Sequence, residues 1–98
     1  MSGAADKSEI ERQIRQALSG VIDPEIGRNV VDIGLIYNIA MDDGGTVHID
    51  MTTTTRGCPA AGFLVDAVRE RVLDAGLARS VEVRLTYDPP WSPAMMRD

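Results

Sequence analysis

Apolar and polar residues alternate in three stretches of the chain, and such alternation is typical of half-buried β-strands. The predicted strands cover residues 35–41, 46–53 and 81–87. The first two are joined by Asp42-Asp43-Gly44-Gly45, whose composition predicts a hairpin turn. The positions expected to face the core are Leu35, Tyr37, Ile39 and Met41 in the first strand, and Val47, Ile49 and Met51 in the second. On the second strand, His48, Asp50 and Thr52 should point outward.

Two other stretches have apolar residues at the three- and four-residue spacing of an amphipathic helix. The predicted helices cover residues 9–19 and 60–75, and Pro59 is expected at the first position of the second helix. Ser92 and Pro93 predict a short helical turn near the C-terminus. The predicted fold is therefore α/β (α+β), with the order α-β-β-α-β. Two helices should cover one face of a three-stranded mixed sheet, followed by the short C-terminal turn.

Length and composition predict a single domain. The chain has 98 residues, 44% of them hydrophobic, which suffices for a small core. Residues 1–7 are small and polar, and we expect them to form a flexible N-terminal tail before a domain at 8–98. They have no apolar segment typical of a signal peptide, and no apolar run is long enough to cross a bilayer. We expect a cytoplasmic protein without a membrane partner.

Net charge and cysteine content limit the classes of function that the chain can have. The net charge is −5, which argues against nucleic-acid binding, because phosphate contacts require clustered Lys and Arg side chains. The chain has one cysteine, so it forms no internal disulfide, which agrees with a reducing compartment.

The single cysteine lies in Thr52-Thr53-Thr54-Thr55-Arg56-Gly57-Cys58-Pro59, between the second predicted strand and the second predicted helix. Gly57 should supply the sharp turn. Cys58 is expected beside a helix N-terminus, where the helix dipole lowers the pKa of a thiol and favours the thiolate that binds metals. The hydroxyls of Thr54 and Thr55 are candidate donors to a metal-bound group. The alternative is that Cys58 is a small buried apolar residue.

Two further segments carry candidate site residues. Asp23-Pro24-Glu25 predicts a constrained turn with two carboxylates, which are either solvated turn residues or part of a site. Trp91, the only tryptophan, lies in the proline-rich segment after the third strand. It is expected either to pack over the edge of the core or to contact a partner. If the third strand is parallel to the second, Trp91 should lie near Cys58.

Several kinds of chemistry are excluded or disfavoured by the residues available. A redox site of the thioredoxin type needs a second cysteine, and a structural zinc site needs about four ligands. A thiol-dependent enzyme is the least favoured class, because the only histidine, His48, is separated from Thr55 by roughly 23 Å of extended strand. One thiolate can supply one metal ligand while a second subunit, a partner or a small thiol supplies the others, which suits a transient carrier.

Four motifs, in this order, resemble those of the SufT/PaaD-like family of metal–sulfur cluster biosynthetic proteins. They are Asp23-Pro24-Glu25-Ile26, residues 30–37, residues 51–59 and residues 88–93, and the resemblance covers about residues 10–96. It implies a small α/β domain that acts in iron–sulfur cluster assembly or delivery. The resemblance also implies that Cys58 is the reactive or ligating residue. Without the cysteine-rich extension of the longer phenylacetate-pathway members, the chain resembles the stand-alone single-domain form.

The resemblance implies a specific site and specific partners. Asp23 and Glu25 match the acidic loop of the family, and Thr54 and Thr55 match its polar residues before the cysteine. We expect an assembly or delivery factor that uses Cys58 as a labile ligand or contact. The cargo would be a transient iron–sulfur cluster or iron, with no permanently bound cofactor. Expected partners are iron–sulfur assembly proteins, apo-protein clients and a second copy in a homodimer. The alternative is a non-enzymatic adaptor that joins assembly machinery to clients through a surface around Trp91.

Overall fold

The order of elements follows the alternation and helical spacing of the sequence. The computed structural model describes residues 7–96. Its elements are α1 (Lys7–Leu18), β1 (Ile36–Met41), β2 (Thr46–Met51), α2 (Ala61–Asp74), β3 (Ser80–Leu85) and a 3-10 turn at Pro93–Met95. The predicted order α-β-β-α-β and the C-terminal helical turn are confirmed. The predicted N-terminal tail lies outside the described residues except for Lys7, with which α1 begins.

β2 is the central strand of a three-stranded mixed sheet. It pairs antiparallel with β1 and parallel with β3, as predicted. The hairpin between β1 and β2 is closed by Asp42, whose Oδ1 accepts hydrogen bonds from the backbone N–H groups of Gly44 and Thr46. The connection from β2 to β3 runs through α2, so the carboxyl ends of these two parallel strands meet at one edge of the sheet.

The core lies between one face of the sheet and the two helices. Val47, Ile49 and Met51 of β2 are fully buried, which confirms the predicted inward face. Ile14 and Leu18 of α1 and Leu64, Val68 and Val72 of α2 are also fully buried. Burying each such aliphatic side chain contributes roughly 1.5–3 kcal/mol. The opposite face of β2 carries the exposed His48 and is not covered by a helix.

The predicted inward face of β1 is confirmed at Leu35 and Ile39 but wrong at Tyr37, because the strand contains a bulge. Ile36 pairs with Met51 and Asn38 pairs with Asp50, so Tyr37 is an extra residue in β1. A bulge shifts the alternation by one position. Ile36 and Ile39 are consequently the buried residues of the strand.

Two predicted strand ends and the predicted helix start also differ from the structure. β2 ends at Met51, and Thr52, which was expected to point outward, is fully buried. The N–H of Thr52 still donates to the carbonyl oxygen of Leu35 at 2.9 Å, so backbone pairing with the residue before β1 continues one position beyond the strand. β3 ends at Leu85 rather than at residue 87. α2 begins at Ala61, so Pro59 lies outside the helix.

The C-terminal segment packs across the turn that precedes β1. The indole Nε1 of Trp91 donates to the carbonyl oxygen of Ile33 at 2.6 Å. The hydroxyl of Tyr37 donates to the carbonyl oxygen of Pro89 at 2.7 Å. Gly34 has a φ of 81°, and a Cβ there would lie 2.6 Å from the carbonyl oxygen of Met95. A side chain at position 34 would therefore push the C-terminal turn away. Across residues 7–96, no helix has the length and apolar character needed to cross a bilayer.

Candidate functional site

The loop between β2 and α2 positions the single cysteine. Gly57 has a φ of 72°, which confirms the predicted sharp turn, because glycine adopts this left-handed conformation without steric cost. Cys58 follows directly and is only 6% exposed. Its carbonyl oxygen accepts a hydrogen bond from the N–H of Ala61, the first residue of α2, at 3.0 Å. Cys58 therefore lies beside the helix N-terminus, as predicted.

A second turn, at residues 23–27, is organised by the buried side chain of Asp23. Its Oδ1 accepts hydrogen bonds from the N–H groups of Glu25 at 2.7 Å and Ile26 at 3.3 Å. Its carbonyl oxygen accepts a further bond from the N–H of Gly27 at 2.7 Å. Asp23 thus acts as the turn-forming residue that the sequence predicted, and it fixes the backbone that carries Glu25.

The two turns meet at the thiol of Cys58. Its Sγ donates a hydrogen bond to Oε1 of Glu25 at 3.1 Å, and the two residues are 33 positions apart in the chain. Glu25 is exposed, whereas Cys58 is buried. The Glu25 side chain can therefore move off the thiol without disturbing the core.

The carboxylates raise the pKa of the Cys58 thiol. The largest cause is the hydrogen bond to Glu25, followed by burial, and the charges of Glu25 and Asp23 act in the same direction. The backbone N–H of Ala60 at the helix start lowers the pKa, but by less. The predicted lowering of this pKa is therefore wrong. One helix-terminal N–H is outweighed by a carboxylate in contact, so Cys58 is held as a thiol in this conformation.

One carboxylate oxygen at the site lacks a partner. Oδ2 of Asp23 is buried and forms no hydrogen bond with any of residues 7–96. Leaving a buried acceptor unpaired carries a desolvation cost of about 1–3 kcal/mol. No three His, Cys, Asp or Glu side chains in this part of the chain are arranged to hold a metal ion. The donor atoms in direct contact at the site are Sγ of Cys58 and Oε1 of Glu25.

Thr54 and Thr55 are on the same loop, but within residues 7–96 their hydroxyls form no hydrogen bond to Cys58 or to any other group. Thr54 is half-buried and Thr55 is exposed. Thr53 instead anchors the loop. Its hydroxyl donates to the carbonyl oxygen of Thr55 at 2.7 Å and lies 2.8 Å from the hydroxyl of Tyr87, which then donates to it.

Tyr87 is a supporting residue that the sequence analysis missed. Besides its bond to Thr53, its ring lies 5.1 Å from the guanidinium carbon of Arg56, which precedes the turn at Gly57. Such cation–π contacts are worth about 0.5–1 kcal/mol at exposed sites. The signal that identifies Tyr87 is its position two residues after the end of β3, the parallel neighbour of the strand that leads to the loop.

Trp91 is held against the core by its hydrogen bond to Ile33 and is half-buried. This is the packing role that the sequence analysis weighed against a partner contact. Its approach to Cys58 stays a prediction.

Comparison with known proteins places the chain in a family. Residues 11–85 match the family model described as iron–sulfur cluster assembly protein. The chain is 40% identical over 83 residues to the Fe-S protein maturation auxiliary factor YitW of Bacillus subtilis, covering 85% of this chain and 81% of that protein. It is 38% identical over 76 residues to the Fe-S protein maturation auxiliary factor SufT of Staphylococcus aureus, covering 78% and 86%.

A solved structure agrees with these sequence matches. The crystal structure of a domain of unknown function, DUF59, from Bacillus anthracis has a TM-score of 0.87 and 34% identity, and covers 92% of this chain and 86% of that one. The chain therefore belongs to the iron–sulfur cluster assembly protein family. The predicted SufT/PaaD-like membership is confirmed. The two relatives named above are described as auxiliary factors and not as enzymes.

The structure corrects one step in the sequence argument against a thiol-dependent enzyme. That step held that no base is available, because only His48 was considered. Glu25 is a carboxylate 3.1 Å from the thiol and can accept its proton. The sequence analysis had placed Glu25 in the site but not in contact with Cys58.

Proposed function

We propose that this chain assembles or delivers iron–sulfur clusters, with Cys58 as a transient ligand of the cluster or of iron. The observation that carries the proposal is the contact between Sγ of Cys58 and Oε1 of Glu25. It pairs the only thiol of the chain with an exposed carboxylate that can take its proton. Membership of the cluster assembly family supports the same role.

Cys58 becomes a ligand through proton transfer and ligand exchange. The thiol passes its proton to the Glu25 carboxylate as its sulfur bonds to iron, because the thiolate is the ligating form. During delivery, the thiolate of a client cysteine replaces that of Cys58 at the iron. Glu25 passes the proton on to water, and Cys58 takes up a proton from water when the cluster leaves. No electron is transferred, and the cargo leaves with the charge it brought.

The donor set makes such a ligand labile. One thiolate and one carboxylate do not complete the coordination of a cluster, which is normally held by four cysteines. The remaining ligands would come from an assembly protein, a client or a second copy of the chain in a homodimer. Neither the cluster nor iron would remain bound permanently.

The other predicted site residues have supporting roles in this proposal. Asp23 holds the turn that presents Glu25, and Gly57 allows the chain to turn into Cys58. The hydroxyls of Thr54 and Thr55, which bond to none of residues 7–96, are free to donate to sulfide or to a metal-bound thiolate. Trp91 would contact the partner.

A non-enzymatic adaptor remains the second candidate, and the burial of Cys58 favours it. A thiol that is 6% exposed is poorly placed to meet a cluster unless Glu25 moves away. An adaptor would join assembly proteins to clients through its surface and would need no cluster bond of its own.

Transfer kinetics separate the two candidates. The wild-type chain and the variants Cys58→Ser and Cys58→Ala are incubated anaerobically with iron and sulfide, and apo-ferredoxin is then added as the acceptor. A carrier should lose transfer by at least about tenfold in both variants, equivalent to about 1.4 kcal/mol. Equal cluster transfer by all three proteins would rule out Cys58 as a carrier ligand and would support the adaptor function. Glu82→Gln, an exposed carboxylate on the uncovered sheet face, is the control for general charge effects.

A further inference from the structure

Exposed apolar side chains flank the Cys58 site on both of its turns. Ile22 is 49% exposed and Ile26 is 37% exposed, and they lie on either side of the turn that carries Glu25. Phe63, the only phenylalanine of the chain, is 61% exposed in the first turn of α2. Clustered apolar exposure of this kind marks interaction surfaces more often than isolated apolar residues do.

Ile22 and Phe63 line the same surface groove, which runs along α2 past Ala67. Phe63 and Ala67 are four positions apart and so share one face of the helix. The opposite wall is formed where α1 ends, at Gly20 and Val21. The groove therefore has an apolar floor. Its aromatic side chain, Phe63, is the α2 residue of the groove that follows Cys58 most closely in sequence.

The far end of the groove is acidic. It is lined by Glu70 and Asp74, and neither of these side chains has an ion-pair or hydrogen-bond partner within residues 7–96. The cation in the groove, Arg71, is already engaged, because its Nε donates to the carbonyl oxygen of Ala17 at 3.0 Å. Its guanidinium also packs on Gly20. Two unpaired carboxylates beside one engaged guanidinium leave this end negatively charged.

We propose that the groove, lined by Ile22, Phe63, Ala67, Glu70 and Asp74, binds a segment of a partner protein that presents an apolar side chain followed by Lys or Arg. The apolar side chain covers Ile22 and Phe63, and the basic side chains pair with Glu70 and Asp74. A second copy of this chain fits less well, because two acidic ends would meet and each chain carries a net charge of −5.

The role of this groove rests on the proposed function, because a delivery factor must hold its client beside the ligating cysteine. Phe63 follows Cys58 closely in the chain, and Ile22 precedes Asp23, so a segment in the groove lies next to both turns of the site. Aromatic anchors of this kind commonly supply most of the energy of an interface.

Selection from a library of random peptides displayed on phage tests the groove. The bait is the wild-type chain without iron or sulfide, with counter-selection against Phe63→Ser. Enriched peptides should carry an aliphatic or aromatic residue next to Lys or Arg. Each should bind the wild type at least about tenfold more tightly than Phe63→Ser, and more weakly as salt is added. Leu73→Ser is the matched control, because Leu73 is also exposed on α2 but does not line the groove.

Nuclear magnetic resonance confirms or overturns the assignment. Binding of an enriched peptide should shift the amide signals of Ile22, Phe63 and Ala67, and Phe63→Ser should keep the fold because the ring is mostly exposed. The proposal is overturned if enriched peptides bind Phe63→Ser as tightly as wild type, if they are acidic, or if none is enriched. It is also overturned if the wild type self-associates through this groove. Because no iron is present, these results are independent of cluster transfer.

Discussion

Sγ of Cys58 donates a hydrogen bond to Oε1 of Glu25 at 3.1 Å, across 33 positions of sequence. The contact has two consequences. It keeps the thiol protonated while Glu25 is in place, and it provides an acceptor for the proton when the sulfur binds iron. Access to the sulfur is thereby linked to the position of one exposed side chain.

The Glu25→Gln variant should have a lower Cys58 thiol pKa than the wild type. Gln keeps the length of the side chain but removes the charge that opposes the thiolate. The rate of alkylation by iodoacetamide against pH gives the pKa of each protein. We expect a wild-type value above the ordinary one of about 8.5 and a smaller value in the variant. Glu82→Gln is the control and should leave the value unchanged. A wild-type value below about 8.5 would contradict the contact.

Alkaline pH should destabilise the wild type more than Cys58→Ser. A thiol whose pKa is raised by folding binds its proton more tightly in the folded state. Its stabilising contribution is complete below the unfolded pKa of about 8.5 and is lost as pH rises through the higher folded value. Urea unfolding at neutral pH and at about pH 10 measures the difference. A parallel decline in both proteins would show that folding does not raise this pKa.

Much of the fold was predictable because β2 is regular. A strict period of two placed Val47, Ile49 and Met51 inward, and the structure confirms all three. β1 differed because the bulge at Tyr37 moves the alternation by one residue. No Gly or Pro within the strand marks the bulge in the sequence, so local pattern could not reveal it.

The site was predictable in its parts but not in its contacts. The turn at Gly57 and the helix that follows Cys58 are local features, and both are confirmed. The contact with Glu25 depends on how two distant turns pack against each other, which local spacing does not specify. The predicted lowering of the thiol pKa was wrong for the same reason, because the contact with Glu25 is the largest cause of its increase.

Removing the Asp23 side chain should destabilise the turn that carries Glu25. Asp23→Ala leaves the N–H groups of Glu25 and Ile26 without their acceptor, and we expect a loss of about 1–2 kcal/mol in the free energy of unfolding. Asp23→Asn should lose less, because its amide oxygen can accept both bonds and its amide group replaces the unpaired Oδ2. Urea unfolding measures both variants. Equal losses would mean that the negative charge, and not the acceptor, stabilises the turn.

Trp91 variants separate packing from partner contact. Trp91→Phe keeps a ring but removes the donor to Ile33, and should cost about 1 kcal/mol in stability. Trp91→Ala should cost roughly 3 kcal/mol. If Trp91 contacts the partner, cluster transfer to apo-ferredoxin, expressed per folded molecule, should fall in both. Unchanged transfer in the presence of lower stability would assign Trp91 to packing alone.

Ligation of iron by the sulfur of Cys58 is tested most directly by anaerobic reconstitution with iron and sulfide followed by gel filtration. The absorption of iron–thiolate charge transfer and the iron bound per chain are then measured. The wild type should retain iron and show this absorption, whereas Cys58→Ser should lose most of both. Equal iron content and identical spectra in the two proteins would contradict a role for Cys58 as a ligand.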